Sequence, residues 1–180
     1  IEGKEKIRVQ KFMDYIRNKY GLSEYATITS YNHVPKAAGL ASSASAFAAL
    51  AKAATLDLNL DDIETSRLAR MGSGSASRSI YGGFSIWHHG HDDESSYPTA
   101  IEMDPWDDIV MIACLINEST KPFTSSEAMY ETSQNSVYFD AWVTQSHKDI
   151  ALMEAYVKDH DIKKVGALAQ ENALRMHASL

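Results

Sequence analysis

The stretch PKAAGLASSASAFAAL, residues 35–50, constrains the fold more than any other part of the chain. Read at helical spacing from Leu40 to Ala54, it places Leu40, Ala44, Phe47, Ala48 and Ala51 on one face. Three of those five side chains are single methyl groups, so this helix has to lie close against its neighbours. Its beginning is as informative as its face. A helix leaves its first N–H groups unpaired and carries a partial positive charge at that end, so a glycine and serines there form a ready anion site. Gly39 lets the backbone approach a ligand closely, while Ser42, Ser43 and Ser45 add hydroxyl donors or a magnesium ligand. For one such stretch taken alone, a helix cap with no ligand is the simpler account.

A second stretch repeats the logic. RLARMGSGSASRSIYGG, residues 67–83, offers Ser73, Gly74, Ser75, Ser77 and Ser79 and adds Arg78, whose fixed fork of donors suits phosphate or carboxylate. The chain as a whole carries a formal charge of -7, so any anion must be held by a local cradle against the global field. Two hydroxyl-rich, glycine-flanked turns in such a chain point to two anionic groups held side by side. That arrangement favours phosphoryl transfer, which depends on positioning and charge stabilisation.

The rest of the chain reads as a mixture of helices and strands. Val9, Phe12, Met13, Ile16 and Tyr20 mark a helix over residues 4–20 that stops at Gly21. YATITSYNHV reads as a strand ending before Pro35, and LDDIETSRLARM opens a third helix with Asp61 and Glu64 spaced as in a capping box. GGFSIWHH predicts a strand, GHDDESSYPTAIEMDPWDD a polar loop, and the continuous apolar run IVMIACLIN a buried strand. From Ser125 onward the pattern is helical, with Ile150, Met153 and Val157 marking one long helix and Val165, Leu168, Ala169 and Met176 another. Helices and strands do not alternate strictly, which makes the class α+β.

Composition excludes several functions. With 180 residues and 44% hydrophobic content, the chain is one ordinary domain, or a piece of a larger protein, with a real core. Its acidic balance argues against a nucleic-acid binder. The single cysteine, Cys114, provides neither a disulfide framework nor a multi-cysteine metal site, and no run approaches the roughly 18 apolar residues of a membrane span. The expectation is a cytoplasmic protein with no membrane and no nucleic-acid partner. His88, His89, His91, Asp92 and Asp93 read as a solvated turn ahead of a metal site, because adjacent histidines on a strand point to opposite faces. His177 is expected to be a half-buried packing residue, and Trp87, Trp106 and Trp142 to serve packing. The chain starts without methionine at IEGKEKIRV and stops within a helical pattern at LRMHASL, which leads to the expectation of a fragment.

NHVPKAAGLASSASAFAAL together with SRLARMGSGSASRSIYGGF resembles the mevalonate diphosphate decarboxylases of the GHMP kinase superfamily, and KPFTSSEAM and NALRMHAS continue the likeness. Small-molecule kinases of that superfamily carry glycines where this chain has Ala37 and Ala41, as the decarboxylases do. The resemblance implies a GHMP-kinase-like N-terminal domain portion, of the ribosomal protein S5 domain 2-like type, over residues 1–120, and the start of a helical C-terminal domain over 121–180. It implies ATP and Mg2+ as cofactors, mevalonate 5-diphosphate as substrate, isopentenyl diphosphate as product and a homodimer as the full-length assembly. Gly39, Leu40, Ala41, Ser42, Ser43 and Ser45 would hold the ATP phosphates, with Ser43 at the transferring phosphoryl group and its magnesium. Arg78 would grip the substrate carboxylate, and Ser73, Ser75 and Ser125 would meet the substrate diphosphate or neighbouring groups. The family's KYWGK strand and the catalytic aspartate of its MDAGPN-type segment do not occur in these residues. Ser126 and Met71 stand where related enzymes often have arginine, and Ala128 where they have glycine. A superfamily kinase acting on mevalonate or phosphomevalonate, and a non-catalytic anion-binding domain, remain the alternatives.

Overall fold

The computed structural model describes residues 3–31, 33, 41–112, 114 and 125–180, which fall into two compact units divided after Ala100. The first unit holds helices α1 (Gly3–Tyr20), α2 (Ser42–Ala54) and α3 (Asp62–Gly72), a 3-10 segment (Gly74–Ile80) and the strands β1 (Ser85–Trp87) and β2 (Pro98–Ala100). The helical periodicity of α1 appears as predicted. Phe12 and Ile16 are buried, Val9, Met13 and Tyr20 pack beside them, and Gly21 ends the helix at φ 64° while the Leu22 amide donates to the Arg17 carbonyl at 3.0 Å.

The small residues of α2 make the core of this unit thin. Ala44, Phe47, Ala48 and Ala51 join Leu68 and Ala69 of α3 and Ala76 of the 3-10 segment in one buried cluster with Phe12 and Ile16. Phe12 meets Phe47 edge-on, with ring centres 5.2 Å apart. The methyl-only side chains admit the backbone of the neighbouring elements, and at the end of α3 even a methyl is too much. A Cβ added at Gly72 would fall 2.1 Å from Phe47 Cδ1.

Asp61 caps α3 by accepting from the Glu64 amide at 2.7 Å, but the Glu64 carboxylate does not complete the predicted box. It instead accepts from Tyr20 Oη at 2.7 Å and pairs with Lys19 at 2.6 Å, tying α1 to α3. Burial would raise the Glu64 pKa, yet the bonds from Lys19 and Tyr20 outweigh it and hold the carboxyl below its ordinary value.

β1 forms where GGFSIWHH predicts a strand, but the following segment is not wholly a loop. Pro98–Ala100 returns antiparallel, with Ser85 opposite Ala100 and Trp87 opposite Pro98. Three residues are too few to show a period, which is why this strand is invisible in the sequence. Its turn is closed by Asp92, whose carboxylate accepts from the Ser95 amide at 2.8 Å.

Two strand expectations are corrected. Residues 25–31 of YATITSYNHV form no strand, and Tyr25 and Tyr31 are exposed. This segment instead lies along α1 and α2, where Thr27 and Ile28 join Val9, Met13 and Leu50 in lining a half-open cleft of about 400 Å³. The described part of IVMIACLIN forms no strand either, and Val110, Met111, Ile112 and Cys114 are exposed. In both cases β-branched and apolar content predicts a strand buried between partners. Among the described residues no strand lies alongside either segment, so no ladder forms.

The second unit holds α4 (Ser125–Asn135), α5 (Phe139–Lys158) and α6 (Ile162–Ser179). α5 and α6 form an antiparallel pair across the short turn Asp159–Asp161, with Val157 and Leu168 buried. Ile150 and Ala169, predicted on the inner faces, point outward. The neighbouring Asp149 is buried in place of Ile150. It is satisfied there by Gln145 at 2.8 Å, Asn172 at 3.3 Å and Arg175 at 2.7 Å. His177 is exposed, contrary to the half-buried position expected for it, because it lies on the solvent side of α6. Among the described residues no helix is long and apolar enough to cross a membrane.

Candidate active site

α2 begins at Ser42, preceded by Ala41 in the left-handed region at φ 51°. Alanine has no side-chain acceptor, so no side chain caps this helix, and the serines follow the bend directly. Ser43 and Ser45 are exposed and Ser42 half-buried, with the Ser45 hydroxyl donating to the Ser42 carbonyl at 3.1 Å. Gly39 and Leu40, the other two residues assigned to this loop, lie outside the described residues.

The second hydroxyl-rich turn is built on the end of α3. Ser73 is the C-cap, its amide donating to Ala69 and its carbonyl accepting from Ala76 at 2.8 Å. Ser75 is half-buried, whereas Ser77 is buried and spends its hydroxyl on the Gly74 carbonyl at 2.8 Å. Ser77 is therefore a structural serine, and Ser73, Ser75 and Arg78 keep accessible surface. Because Ala76 shares a buried cluster with Ala44 and Ala48, the two serine-bearing turns stand on elements packed against each other. Ser125 opens α4 in the second unit, and its side chain is outside the described part.

The arginines separate by what they hold. Arg17, Arg67, Arg70 and Arg175 pair with carboxylates, and Arg8 donates twice to the Gly72 carbonyl. Arg78 is exposed, forms no ion pair with the described residues, and rests over the Trp87 ring, 5.6 Å from its centre. Among the described residues its N–H groups thus remain unspent on any acceptor and can meet an anion. Sequence reasoning did not single out Arg8 and read Trp87 as a packing residue only. A weak signal existed for Arg8, which stands one helical turn before the buried Phe12 of α1 although Arg8 itself is exposed. For Trp87 the signal was weaker, a single aromatic in a short strand.

Residues 1–98 match the diphosphomevalonate decarboxylase-like N-terminal domain family. The chain belongs to this family. It is 35% identical over 164 residues to the diphosphomevalonate decarboxylase of Ganoderma lucidum, covering 87% of this chain and 41% of that protein. The crystal structure of mevalonate diphosphate decarboxylase from Staphylococcus aureus superposes with a TM-score of 0.90 at 44% identity, covering 99% of this chain and 55% of that one. A structure of MDDEF in complex with MVAPP, AMPPCP and magnesium superposes with a TM-score of 0.88 at 38% identity, covering 99% of this chain and 56% of that one. The α+β fold is accordingly that of the mevalonate diphosphate decarboxylases. The chain spans less than half the length of the fungal relative and just over half of each of these structures.

Proposed function

We propose that this chain carries the binding loops of an ATP-dependent decarboxylase that converts mevalonate 5-diphosphate to isopentenyl diphosphate, acting in the cytoplasm as a homodimer. The observation that carries the reading is Arg78, an exposed guanidinium with no carboxylate partner among the described residues, set on a serine-rich turn packed against the start of α2. The family membership and the ligands named with the MDDEF structure support it.

The start of α2 suits a nucleotide triphosphate with Mg2+. No side-chain cap occupies the helix end, and the Ser43 and Ser45 hydroxyls are exposed there. The backbone amides and Ser42 and Ser45 would hold phosphate oxygens, and Ser43 would face the magnesium and the phosphoryl group in flight. ATP supplies the phosphoryl group that turns the tertiary hydroxyl of the substrate into a leaving group. Arg78 holds the carboxylate so that, as phosphate departs with the C–O electron pair, the C–C bond to the carboxylate is aligned to break. Its electrons become the new double bond and carbon dioxide is released. Ser73, Ser75 and Ser125 are assigned to the substrate diphosphate and its surroundings.

The test is the whole protein supplied with Mg-ATP and mevalonate 5-diphosphate. Carbon dioxide and ADP should form in equal amounts. ADP with a stable phosphorylated product and no carbon dioxide would identify a kinase and overturn the reading.

A further inference from the structure

The surroundings of Trp87 assign a role to a residue outside the serine-rich turns. Its indole is half-buried and fixed from three directions. The strand pairing sets Trp87 opposite the buried Pro98. The indole N–H donates to the Ser96 hydroxyl at 3.1 Å, and Ser96 is itself buried. The far edge of the ring abuts Gly74, where an added Cβ would lie 3.1 Å from the ring carbon Cη2. Over the ring sits the Arg78 guanidinium.

A carboxylate would also hold an arginine in place, but it would consume the N–H donors that a ligand needs. An aromatic face attracts the cation through its quadrupole and leaves the edge of the fork unspent. The contrast is visible within this chain. Arg8, Arg17 and Arg67 also lie over aromatic rings, Phe47, Tyr25 and Tyr97, yet Arg8 spends N–H donors on the Gly72 carbonyl and the other two spend theirs on carboxylates. Arg78 has the ring without such an acceptor among the described residues.

We propose that Trp87 is a positioning residue whose indole face holds the Arg78 guanidinium in the orientation that receives the substrate carboxylate, with its hydrogen-bonding edge kept open. This rests on the reading of Arg78 given above. Gly74 is then the residue that admits the ring to its place, and Ser96 the one that fixes its tilt.

The experiment is a double-mutant cycle in the whole protein, using Arg78→Ala, Trp87→Leu and the pair, with kcat/KM for mevalonate 5-diphosphate and the Kd of a non-hydrolysable ATP analogue as readouts. Trp87→Leu should lower kcat/KM about five- to twentyfold while the nucleotide Kd stays within about twofold. Trp87→Phe should recover most of the loss, because a ring remains under the guanidinium. Adding Trp87→Leu to Arg78→Ala should cost nothing further. Full additivity in the cycle, or no rescue by phenylalanine, would overturn the platform while leaving the role of Arg78 intact. An Arg78→Ala variant with unchanged kcat/KM would overturn the functional reading itself, and the proposal with it. A readout that does not depend on folding of the Trp87 variants replaces Trp106, Trp142 and every further tryptophan of the whole protein with phenylalanine, so that emission reports Trp87 alone. Saturating mevalonate 5-diphosphate should change that emission when Arg78 is present and leave it unchanged in Arg78→Ala. An unchanged emission with Arg78 present would overturn the proposal.

Discussion

The Arg8 guanidinium donates Nε–H and Nη2–H to the carbonyl of Gly72, at 3.0 and 2.6 Å, across 64 residues of sequence. The same group lies 4.9 Å from the centre of the Phe47 ring, which leaves no room for a Cβ on Gly72. The end of α3 is thereby fixed by α1 and α2 together, and Ser73 starts the second serine-rich turn from that fixed point. Gly72→Ala should destabilise the protein by about 1–3 kcal/mol through overpacking, and shrinking the opposing ring with Phe47→Leu should make the same change less costly. Arg8→Ala should cost about 1.5–3 kcal/mol through the lost charged hydrogen bonds. Urea denaturation of the four variants measures both effects. A Gly72→Ala midpoint equal to that of the unaltered protein would show that the contact does not limit the packing.

How much of this was legible in the sequence depends on where the stabilising partner lies. The faces of α1 and α2 were readable because helical burial repeats within one segment, and Phe12, Ile16, Ala44, Phe47, Ala48 and Ala51 are buried as their spacing implies. The two serine-rich turns were readable because helix-end chemistry is local. The segments at Tyr25 and Ile109 were misread because a strand exists only with a neighbour, and periodicity says nothing of whether one is present. Ile150 was placed inward because a hydrophobicity pattern cannot anticipate that Gln145, Asn172 and Arg175 would satisfy a buried carboxylate at Asp149. Arg78 is exposed, as its place on a serine-rich turn implies, but the ring beneath it is a tertiary contact with no sequence signature.

Asp149 gives the α5–α6 pair a dependence on pH. The hydrogen bond from Gln145, helped by Asn172 and the charge of Arg175, outweighs burial and holds its pKa below the ordinary 3.8. A carboxyl with a lowered folded-state pKa stabilises the fold fully above its unfolded value, and that contribution is lost as pH falls through the folded one. Asp149→Asn should therefore lower stability at pH 7 by about 1.5–3 kcal/mol, the worth of a hydrogen bond to a charged group. The gap between variant and parent should narrow once the pH drops below 3.8. Denaturant midpoints of the two proteins measured from pH 7 to pH 2.5 test this, and a gap that stays constant across the range would remove Asp149 as its source.

Ser43 separates binding from chemistry. Its hydroxyl is exposed on the first turn of α2, while the backbone amides of that turn remain whatever the side chain. Ser43→Ala should reduce kcat by roughly 100- to 1,000-fold, as loss of one transition-state donor does elsewhere, with little change in nucleotide affinity. Steady-state kinetics together with calorimetric titration of an ATP analogue distinguish the two effects. Equal losses in affinity and turnover would make Ser43 a uniform binding residue.

Arg78 should matter most among the residues present. If its fork holds the substrate carboxylate, removing it leaves that group misplaced when its C–C bond must align with the departing phosphate. Charge-assisted hydrogen bonds contribute about 1.5–3 kcal/mol each, so Arg78→Ala should lower turnover at least tenfold to about a hundredfold with nucleotide affinity nearly intact. Arg78→Lys should restore only part of that loss. An ammonium keeps the charge, but it loses the two parallel donors and stacks less well on the Trp87 ring that carries the guanidinium. Circular dichroism confirms that each variant is folded, and kinetics with nucleotide titration read the split. Should Arg78→Ala abolish nucleotide binding and spare substrate affinity, the two serine-rich turns would exchange ligands, with the α3 end holding the nucleotide and the start of α2 the substrate.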